Sequence, residues 1–459
     1  MTHYCVELQY RTDAAQYYAA LADLPWAVWL DSCGMERYDI VTAAPQHTLL
    51  LEKEPECCDP FELLRKLMGE RVAPITDIPF AGGALGYWSY DLARRMVSLP
   101  DIALARERLP DLSIGIYDWA LVLDHKLHKA LLVSQQRFSE TTVLLPQILR
   151  RLQGTPATPI DSFKVHGRIT SNFTPESYVS AFLKVQDYLS SGDCYQINLS
   201  QRFSAKAEGD AFGAYIRLRS LNPAPYSAFL NLPHARILCN SPERFISVAG
   251  DRVETRPIKG TRPRSSDARK DRLLAVELQN HPKDRAENLM IVDLLRNDLG
   301  KSCKPGSVRV PKLFEVESFA NVHHLVSTVE GQLAEGCDAL DVLRGCFPGG
   351  SVTGAPKLRA MQIIEQLEPV RRGVYCGAIG YIGFDGNMDT NIAIRTMVCS
   401  DDVIRCWAGG GIVADSDQKA EYQETLDKAS AMLELLMHYG GEAEELLAGH
   451  PYDGSAQSI

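Results

Sequence analysis

The sequence predicts a large globular protein that mixes α-helices with β-strands. The chain has 459 residues, of which 45% are hydrophobic and 23% charged, a balance typical of a protein with a sizeable core. Short apolar runs at 27–30 and 48–51 are typical of strands, and the stretch 60–68 has helical spacing. Together these features predict a mixed α/β organisation from the first residues onward.

Residues 1–153 form the first predicted domain. The segment 154–174, GTPATPIDSFKVHGRITSNFT, is rich in Pro, Gly, Ser and Thr and lacks apolar periodicity, which predicts a linker. Residues 175–438 form the second predicted domain, which opens with a helix capped by Thr174 and stopped before Gly192. Residues 439–459 are predicted to be a poorly anchored tail.

The second domain has its own pattern of strands and helices. Strands are predicted near 195–203, 379–384, 391–398 and 403–408, and a helix from 421 to 437. Residues 83–91 and 377–385 echo each other in sequence. Because the echo spans nine residues and does not recur, it predicts two strands with similar packing and no repeat architecture.

Charge and cysteine usage limit the partners and the compartment. The net charge of −10 argues against a nucleic acid or an anionic membrane, which need a basic surface. Acids near the start do not fit a secretory signal, and no 18 apolar residues run together. Twelve scattered cysteines without zinc-ligand spacing favour reduced thiols in the cytoplasm.

Two pairs of acidic residues share a spacing that could serve a metal ion. Asp284 and Glu287 are three residues apart on one predicted helix, and Glu421 and Glu424 are three apart on another. The first pair could simply favour a helix start, and the second could be a solvated face. Two acid pairs on separate helices could instead hold Mg²⁺, which takes few carboxylates and keeps several waters.

Two further features could bind an anion. Arg395 lies in the mostly apolar run 391–398, where a guanidinium needs either a protein carboxylate or a substrate carboxylate. The glycines 409–411 follow a predicted strand and could direct backbone N–H groups at one anion, or could be a flexible turn. The run FPGGSVTGAPK lacks the ending of a phosphate loop, so ATP binding is not supported.

Lys259 and Glu243 are candidates for the chemical step. Lys259 lies between Pro257 and Gly260 in a basic segment, which composition alone would assign to a solvated loop. A sharper hypothesis is a nucleophilic lysine that burial and neighbouring cations keep partly unprotonated. Glu243 could act as a general acid in an apolar pocket.

Ten segments, in order, resemble the chorismate-binding enzymes, which include anthranilate, isochorismate, salicylate and aminodeoxychorismate synthases. They are YQINLSQRF, NSPERF, RPIKGT, DRAENLMIVDLLRNDLG, VHHLVST, GGSVTGAPK, GAIGYIG, NIAIRT, AGGGIVADSD and EYQETLDK. The resemblance covers roughly 175–436, and FAGGALGYWSYD extends it to the amino-terminal domain of the amine-adding members. It implies an α+β fold in which two large antiparallel sheets pack as a sandwich with helices outside.

The resemblance also implies roles for individual residues. Glu287 and Glu424 match direct magnesium ligands, with Asp284 and Glu421 acting through water. The positions that match groups around chorismate are His324, Thr353, Gly354, Tyr375, Arg395, Gly409, Gly411 and Lys428.

Two positions distinguish among the members of the family. Isochorismate and salicylate synthases carry a lysine base at the position of Gln196, so the resemblance disfavours addition of water. Anthranilate synthases usually carry alanine at the position of Lys259, whereas aminodeoxychorismate synthases carry lysine. The resemblance therefore implies that Lys259 attacks C2 of chorismate while Glu243 protonates the leaving C4 hydroxyl, and that ammonia then replaces the lysine.

The resemblance further implies a partner and two competing functions. No glutaminase GxCxG motif is present, so a glutamine amidotransferase subunit is expected to supply ammonia in a heterodimer. Anthranilate synthesis is the nearest alternative, and a non-catalytic relative that binds tryptophan is the other. Some members bind L-tryptophan near a segment comparable to 30–32, which makes Ser32 a candidate for such a pocket.

Overall fold

A computed structural model describes residues 3–52, 59–154, 162–319 and 322–443. Within these ranges the strands are β1 (Tyr4–Leu8), β2 (Ala27–Asp31), β3 (Tyr38–Thr42), β4 (His47–Leu51), β5 (Gly83–Trp88), β6 (Leu112–Tyr117), β7 (Ala120–Asp124), β8 (Lys129–Ser134), β9 (Lys164–Ser171), β10 (Gln196–Glu208), β11 (Tyr226–Leu232), β12 (Ala235–Ser241), β13 (Arg244–Ala249), β14 (Arg252–Thr255), β15 (Ile258–Pro263), β16 (Arg309–Ser318), β17 (Val322–Gln332), β18 (Gly354–Ala355), β19 (Ala378–Gly383), β20 (Met388–Ile392), β21 (Thr396–Ser400) and β22 (Val403–Ile412).

The helices pack around these strands. They are α1 (Ala15–Ala19), α2 (Pro60–Met68), α3 (Ser139–Gln153), α4 (Pro175–Ser190), α5 (Ala211–Leu221), α6 (Ala268–Asn280), α7 (Pro282–Gly300), α8 (Ala339–Cys346), α9 (Lys357–Leu367) and α10 (Gln418–His438). No described helix is long and apolar enough to cross a membrane.

The strands form two antiparallel sheets, and each sheet takes strands from both halves of the sequence. The first sheet has the order β1-β8-β7-β3-β2-β11-β12-β21-β22-β10-β18, with β9 beside β10. The second has the order β15-β17-β14-β13-β20-β19-β5-β6-β4, with β16 beside β17. The predicted α+β fold with two large antiparallel sheets and outer helices is therefore confirmed.

The alternation of side chains along the strands explains how the layers pack. In β2, Val28 points into a core shared with the second sheet, whereas its neighbour Trp29 points into a core shared with helices. The first core includes Tyr87 of β5, and the second includes Leu433 of α10. Because successive residues of a strand face opposite sides, both faces of the first sheet are buried.

The predicted linker 154–174 contributes to the first sheet. Residues 155–161 lie outside the described part of the chain, but Lys164–Ser171 form β9, which pairs with β10. The division into domains at 1–153 and 175–438 stays a prediction. In the structure, strands from both sides of the division interleave in each sheet. Of the predicted tail 439–459, residues from 444 onward lie outside the description.

Two predictions about local structure in the second half can be compared directly with the backbone. The helix predicted after Thr174 is α4, and the Thr174 side chain accepts a hydrogen bond from the Ser177 backbone N–H at its start. The two echoing segments form β5 and β19, which are hydrogen-bonded neighbours with Gly86 opposite Gly380. The echo thus marks two adjacent strands at the centre of the second sheet.

The single strand predicted over 391–398 is wrong. The chain leaves the second sheet after β20, and it enters the first sheet at β21. Between them Arg395 has a φ of +49°, outside the strand conformation. Backbone hydrogen bonds join Ala393 to Gly377 and Arg395 to Asn240, so tertiary contacts fix this crossing.

The contact between β19 and β20 leaves no room for a side chain at Gly380. A Cβ atom there would lie 2.1 Å from the Asp389 carbonyl oxygen, a backbone atom that cannot move freely. We expect Gly380→Ala to lower the free energy of unfolding by about 1–3 kcal/mol. Gly345→Ala, within α8, is the control. A Cβ atom there would lie 3.5 Å from Ser302 Oγ, an ordinary contact, so this change should raise the free energy of unfolding by about 0.5–1 kcal/mol. Denaturant titration of both variants measures the difference, and equal stability of the two would contradict the proposed packing.

Candidate active site

A cavity of about 740 Å³ opens between the two sheets and helices α7 and α10. It brings together residues that are up to 230 positions apart, from Asn198 to Lys428. The predicted site residues that line it are Glu243, Lys259, Asp284, Glu287, His324, Tyr375, Arg395, Gly409, Gly411, Glu421, Glu424 and Lys428. Thr353 and Gly354 lie behind its wall, and Ser32 lies at a different cavity.

The four acids come from the first two turns of α7 and α10, which both line the cavity. Glu421 is 3% exposed, and Ser416 donates a hydrogen bond of 2.6 Å to its carboxylate. Burial raises the pKa of Glu421 and of Glu287, and nearby lysines only partly oppose this effect. Burial would also raise the pKa of Glu424, but the Lys428 ammonium 2.6 Å away holds it below its ordinary value.

The second pair is therefore not a solvated polar face. Glu421 is buried among the inward-facing residues of α10, and Glu424 lies at the cavity wall. The packing of α10 beside β22 explains this arrangement. At Gly410, a Cβ atom would lie 2.9 Å from Glu421 Oε2 and 3.5 Å from Glu424 Oε1. The glycine thus leaves the space that the two carboxylates occupy.

The donor set can be tested against a divalent cation. In the described ranges, no three His, Cys, Asp or Glu side chains come close enough to hold a metal ion by themselves. Mg²⁺ does not need such a cage, because it commonly takes one or two carboxylates together with substrate oxygens and waters. Glu421 Oε2 is buried without a hydrogen-bond partner among the described residues, and Lys283 approaches the other oxygen only to 3.6 Å. A carboxylate oxygen without a partner among the described residues, beside further acids at one cavity, fits Mg²⁺.

Lys259 points into the same cavity from β15. Its Nζ donates a hydrogen bond of 3.2 Å to the Ser351 carbonyl oxygen. The arginines near it in sequence pair with acids: Arg256 pairs with Glu317, and Arg262, which lines the same cavity, pairs with Glu277 and Asp284. The carboxylates of Glu243, Glu287 and Glu424 lie close enough to Lys259 to interact with its charge, whereas the neighbouring arginines that the sequence suggested are paired with acids.

Glu243 lines the same cavity and lies close to Lys259 and Ser351. It is 6% exposed, and burial raises the pKa of its carboxyl although Ser351 and Lys259 act against that rise. A carboxyl with a raised pKa can hold a proton near neutral pH and deliver it to a leaving group. The cavity therefore holds a group that can donate a proton, Glu243, close to the amine of Lys259.

The far wall of the cavity has the features of an anion site. The guanidinium of Arg395 has no carboxylate partner among the described residues, and burial lowers its pKa. Gly409 and Gly411 pair with β10 on one edge, while the pairing of β21 with β22 ends at Cys406. The other edge of the glycine run is thus open to the cavity. The Tyr375 ring completes this wall and stacks on Trp407 at 6.0 Å.

His324 contributes a neutral ring. Burial and the nearby Arg395 lower its pKa to about 4, and its Nδ1 lies 2.9 Å from the Thr261 hydroxyl oxygen. Thr353 and Gly354 shape the wall from behind. The Thr353 hydroxyl donates to the Gly349 carbonyl, and Gly354 pairs with Ile197 of β10. The cavity itself is lined by the preceding residues Ser351 and Val352.

Sequence reasoning missed the buried ion pair between Glu368 and Arg372. The Arg372 guanidinium, 1% exposed, bonds Glu368 at 2.7 and 2.9 Å. It also donates to the carbonyl oxygens of Val352 and Asn198, two residues of the cavity wall. The i,i+4 spacing of opposite charges just before Tyr375 was the available signal. The pair holds two wall segments in place from behind.

Ser32 lies at a second cavity of about 550 Å³. Its backbone N–H and its hydroxyl both donate to Asp39 Oδ1, at 2.7 and 2.6 Å. Arg244 and Asp389, 3.0 Å apart, lie on the opposite wall. The suggested tryptophan pocket falls on this cavity, and tryptophan binding stays a prediction.

Comparison with known proteins decides the family. Residues 26–434 match the family model described as chorismate binding enzyme. The chain belongs to the chorismate-binding enzyme family. The match spans residues of both sheets and all the helices that line the cavity.

Other chorismate-binding enzymes are similar over most of their length. Aminodeoxychorismate synthase component 1 of Escherichia coli is 48% identical, over 94% of this chain and 98% of the relative. Anthranilate synthase component 1 of Streptomyces coelicolor is 41% identical, over 88% and 81%. The crystal structure of anthranilate synthase component I from Streptococcus pneumoniae has a TM-score of 0.78 at 35% identity, covering 86% of this chain and 92% of that one.

The Arg372–Glu368 pair provides a test of the cavity wall. We expect Arg372→Met to lower the free energy of unfolding by about 3–5 kcal/mol, because it leaves a buried carboxylate unpaired. The adjacent Arg371 pairs with the exposed Asp101, so Arg371→Met should cost less than about 1 kcal/mol. Adding Glu368→Leu to Arg372→Met should restore part of the loss. Denaturant titration would refute this role if both arginine variants unfolded at the same midpoint.

Proposed function

We propose that this chain is the chorismate-aminating subunit of an aminodeoxychorismate synthase. It converts chorismate and ammonia to 4-amino-4-deoxychorismate, on the route to 4-aminobenzoate and folate. The observation that carries the proposal is the placement of Lys259, whose amine faces the same cavity as the acids of α7 and α10. The names of the most similar relatives support it.

The charges of the cavity are complementary to a substrate with two carboxylates. Arg395, Tyr375 and the backbone N–H groups of Gly409 and Gly411 bind the enolpyruvyl carboxylate at the far wall. His324 contacts the ring as an uncharged side chain, because burial lowers its pKa to about 4. Lys428 lies beside the ring carboxylate, at the acids of α10.

Mg²⁺ is the proposed cofactor. Glu287 and Glu424 would hold the ion directly, while Asp284 and Glu421 would act through water. When bound to the ring carboxylate, the ion supplies a Lewis acid that makes the ring more electrophilic. The residues of the chain then carry out the bond changes.

The reaction divides into two substitutions. The Lys259 nitrogen forms a bond to C2, the ring double bonds shift, and the C4–oxygen bond breaks. Glu243 gives the departing hydroxyl its proton, so that water leaves. Ammonia next forms a bond to C4, the double bonds shift back, and the C2–nitrogen bond breaks while a proton passes from the new amine to Lys259. The enolpyruvyl group remains, and a separate lyase has to remove it to give 4-aminobenzoate.

Addition of water is disfavoured at this site. A water nucleophile needs a base, and the position that holds a lysine base in isochorismate and salicylate synthases is Gln196 here. A neutral amide cannot accept the proton of an attacking water. Neutral ammonia is a much stronger nucleophile than neutral water, so it can attack before it loses a proton and needs no such base.

A glutamine amidotransferase subunit is the proposed source of ammonia, in a heterodimer located in the cytoplasm. The designation component 1 in the relatives' names and the missing GxCxG motif support this part of the proposal. Adding the purified glutaminase subunit should let the chain use glutamine in place of ammonium. Unchanged dependence on ammonium after that addition would rule out the partnership.

L-tryptophan is the proposed ligand of the cavity at Ser32. Calorimetry that shows no binding signal for L-tryptophan would rule this ligand out.

The decisive experiment supplies the purified chain with chorismate, ammonium and Mg²⁺. We expect 4-amino-4-deoxychorismate, which an added lyase converts to 4-aminobenzoate, and we expect no product once a chelator removes the metal. Lys259→Ala should reduce the rate by about 100-fold or more, because it removes the attacking group. Lys312→Ala, at an exposed lysine on β16, is the matched control and should keep the wild-type rate.

Three outcomes separate the alternatives. Anthranilate as the product would assign the chain to the competing synthase. Absence of any product in the presence of chorismate, ammonium and Mg²⁺ would favour a non-catalytic relative and would end the proposal. A wild-type rate in Lys259→Ala would exclude the covalent step from the proposed mechanism, while the proposed amination of chorismate would stand.

A further inference from the structure

Three lysines line the catalytic cavity, and one of them is held differently from the other two. Lys259 and Lys428 each donate a hydrogen bond to a backbone carbonyl oxygen, at 3.2 and 3.0 Å. Lys283 has no hydrogen-bond acceptor among the described residues, and its ion pair there is with Glu421 Oε1, at 3.6 Å. Lys283 therefore interacts with the cavity mainly through its charge.

Lys283 connects the two helices that carry the acids. It lies in the first turn of α7, it lines the cavity, and its side chain, 36% exposed, reaches towards α10. Burial would lower the pKa of its ammonium, but the carboxylates of Glu421, Glu287, Asp415 and Glu424 raise it overall. One ammonium thus interacts with acids of both helices.

The four acids proposed for Mg²⁺ differ in how well the protein itself pairs them. Asp284 and Glu424 each have a close cation, at 3.1 and 2.6 Å. Glu421 has only the more distant Lys283, and Glu287 has no ion pair in the described ranges. Lys283 is therefore a countercharge for the acids whose own pairing is weakest.

An ammonium at this place has opposite effects on the two charged ligands of the proposed reaction. It repels a divalent cation that enters among the acids, and it attracts a dianion that enters the same cavity. Near a protein surface the effective dielectric constant is about 20, so a charge several ångströms away still changes the free energy of binding measurably. The charge of Lys283 thus affects both affinities without any hydrogen bond.

We propose that Lys283 is the countercharge of the acids of α7 and α10 before Mg²⁺ binds, and that it lowers the affinity of the chain for Mg²⁺ and raises its affinity for chorismate. This inference rests on the proposed function, because it concerns the charged ligands of the same cavity. Lys283 thereby limits the fraction of the protein that holds Mg²⁺ without its substrate. Its partly exposed side chain lets the ammonium turn towards water when Mg²⁺ reaches the acids.

Calorimetric titrations of the purified chain test this role without turnover, with Mg²⁺ alone and with chorismate alone. We expect Lys283→Met to tighten the binding of Mg²⁺ by about tenfold and to weaken the binding of chorismate by about threefold. The second effect is smaller because the nearer carboxylate of chorismate carries half the charge of Mg²⁺. Lys283→Arg keeps the positive charge and should keep both affinities within about twofold of wild type.

Lys419→Met is the matched control. Lys419 is the second residue of α10, as Lys283 is the second residue of α7, but it is exposed and lies outside the lining of the cavity. The change removes the same charge from the protein at a place where water and salt screen it. Both affinities should therefore remain those of wild type.

The opposite signs of the two effects distinguish a countercharge from a structural role. A distorted cavity would bind both ligands more weakly, whereas loss of the countercharge strengthens one and weakens the other. Unchanged or weaker binding of Mg²⁺ in Lys283→Met would overturn the proposal, and so would unchanged or stronger binding of chorismate. An equal gain of Mg²⁺ affinity in Lys419→Met would also overturn it.

Circular dichroism and the thermal midpoint show whether each variant is folded before it is titrated. If Lys283→Met does not fold, Lys283→Gln takes its place, because it also removes the charge but keeps a polar side chain. The proposed function is tested separately by the product that the wild-type chain forms from chorismate, ammonium and Mg²⁺. Anthranilate as that product would end the proposed function, while the titrations would still decide the role of Lys283.

Discussion

The active site depends on charge that the protein gathers in one cavity and only partly neutralises itself. Glu287 and Glu421 have a raised pKa because burial removes them from water. Arg395, across the cavity, has no carboxylate partner among the described residues. Burying such groups costs stability unless something else completes their interactions. A dianionic substrate with a divalent cation would complete them, so the incomplete pairing of these charges by the protein favours binding of both.

The fold supplies the positions of these charges through a crossing between its two sheets. The chain passes from β20 to β21 through Arg395, which therefore lies between the sheets. The described residues of the predicted first domain, 1–153, do not line the cavity, but they support it. The Tyr90 ring lies 4.8 Å from the Arg372 guanidinium, and Asp91 accepts a hydrogen bond from the Gly373 backbone N–H. Contacts between the interleaved strands thus connect the amino-terminal residues to the segments that form the cavity wall.

Local patterns predicted the local structure well. The capped start of α4 followed from Thr174 and Pro175, and the shared face of Glu421 and Glu424 followed from helical spacing. These features depend on neighbours in sequence. The two-sheet sandwich and the convergence of the acids with Lys259 came from resemblance to a family, because no spacing within the chain reports contacts across 165 residues, from 259 to 424.

The failures have a common physical cause. The predicted strand 391–398 is broken because Ala393 and Arg395 bond to distant segments, and the predicted linker contains β9 because β10 offers a free edge. Glu368 and Arg372 were overlooked because an i,i+4 pair is usually a surface feature. In each case a long-range contact overrides the local signal.

Binding measurements alone can test whether the charged groups of the cavity act as one site. If the carboxylates of α7 and α10 and the anion site of Arg395 face one cavity, chorismate and Mg²⁺ should bind cooperatively. Calorimetric titration of chorismate into the purified chain, with and without saturating Mg²⁺ and with no ammonium present, measures the coupling directly. We expect Mg²⁺ to tighten chorismate binding and chorismate to tighten Mg²⁺ binding by the same factor. An affinity for chorismate that does not change with Mg²⁺ would contradict it.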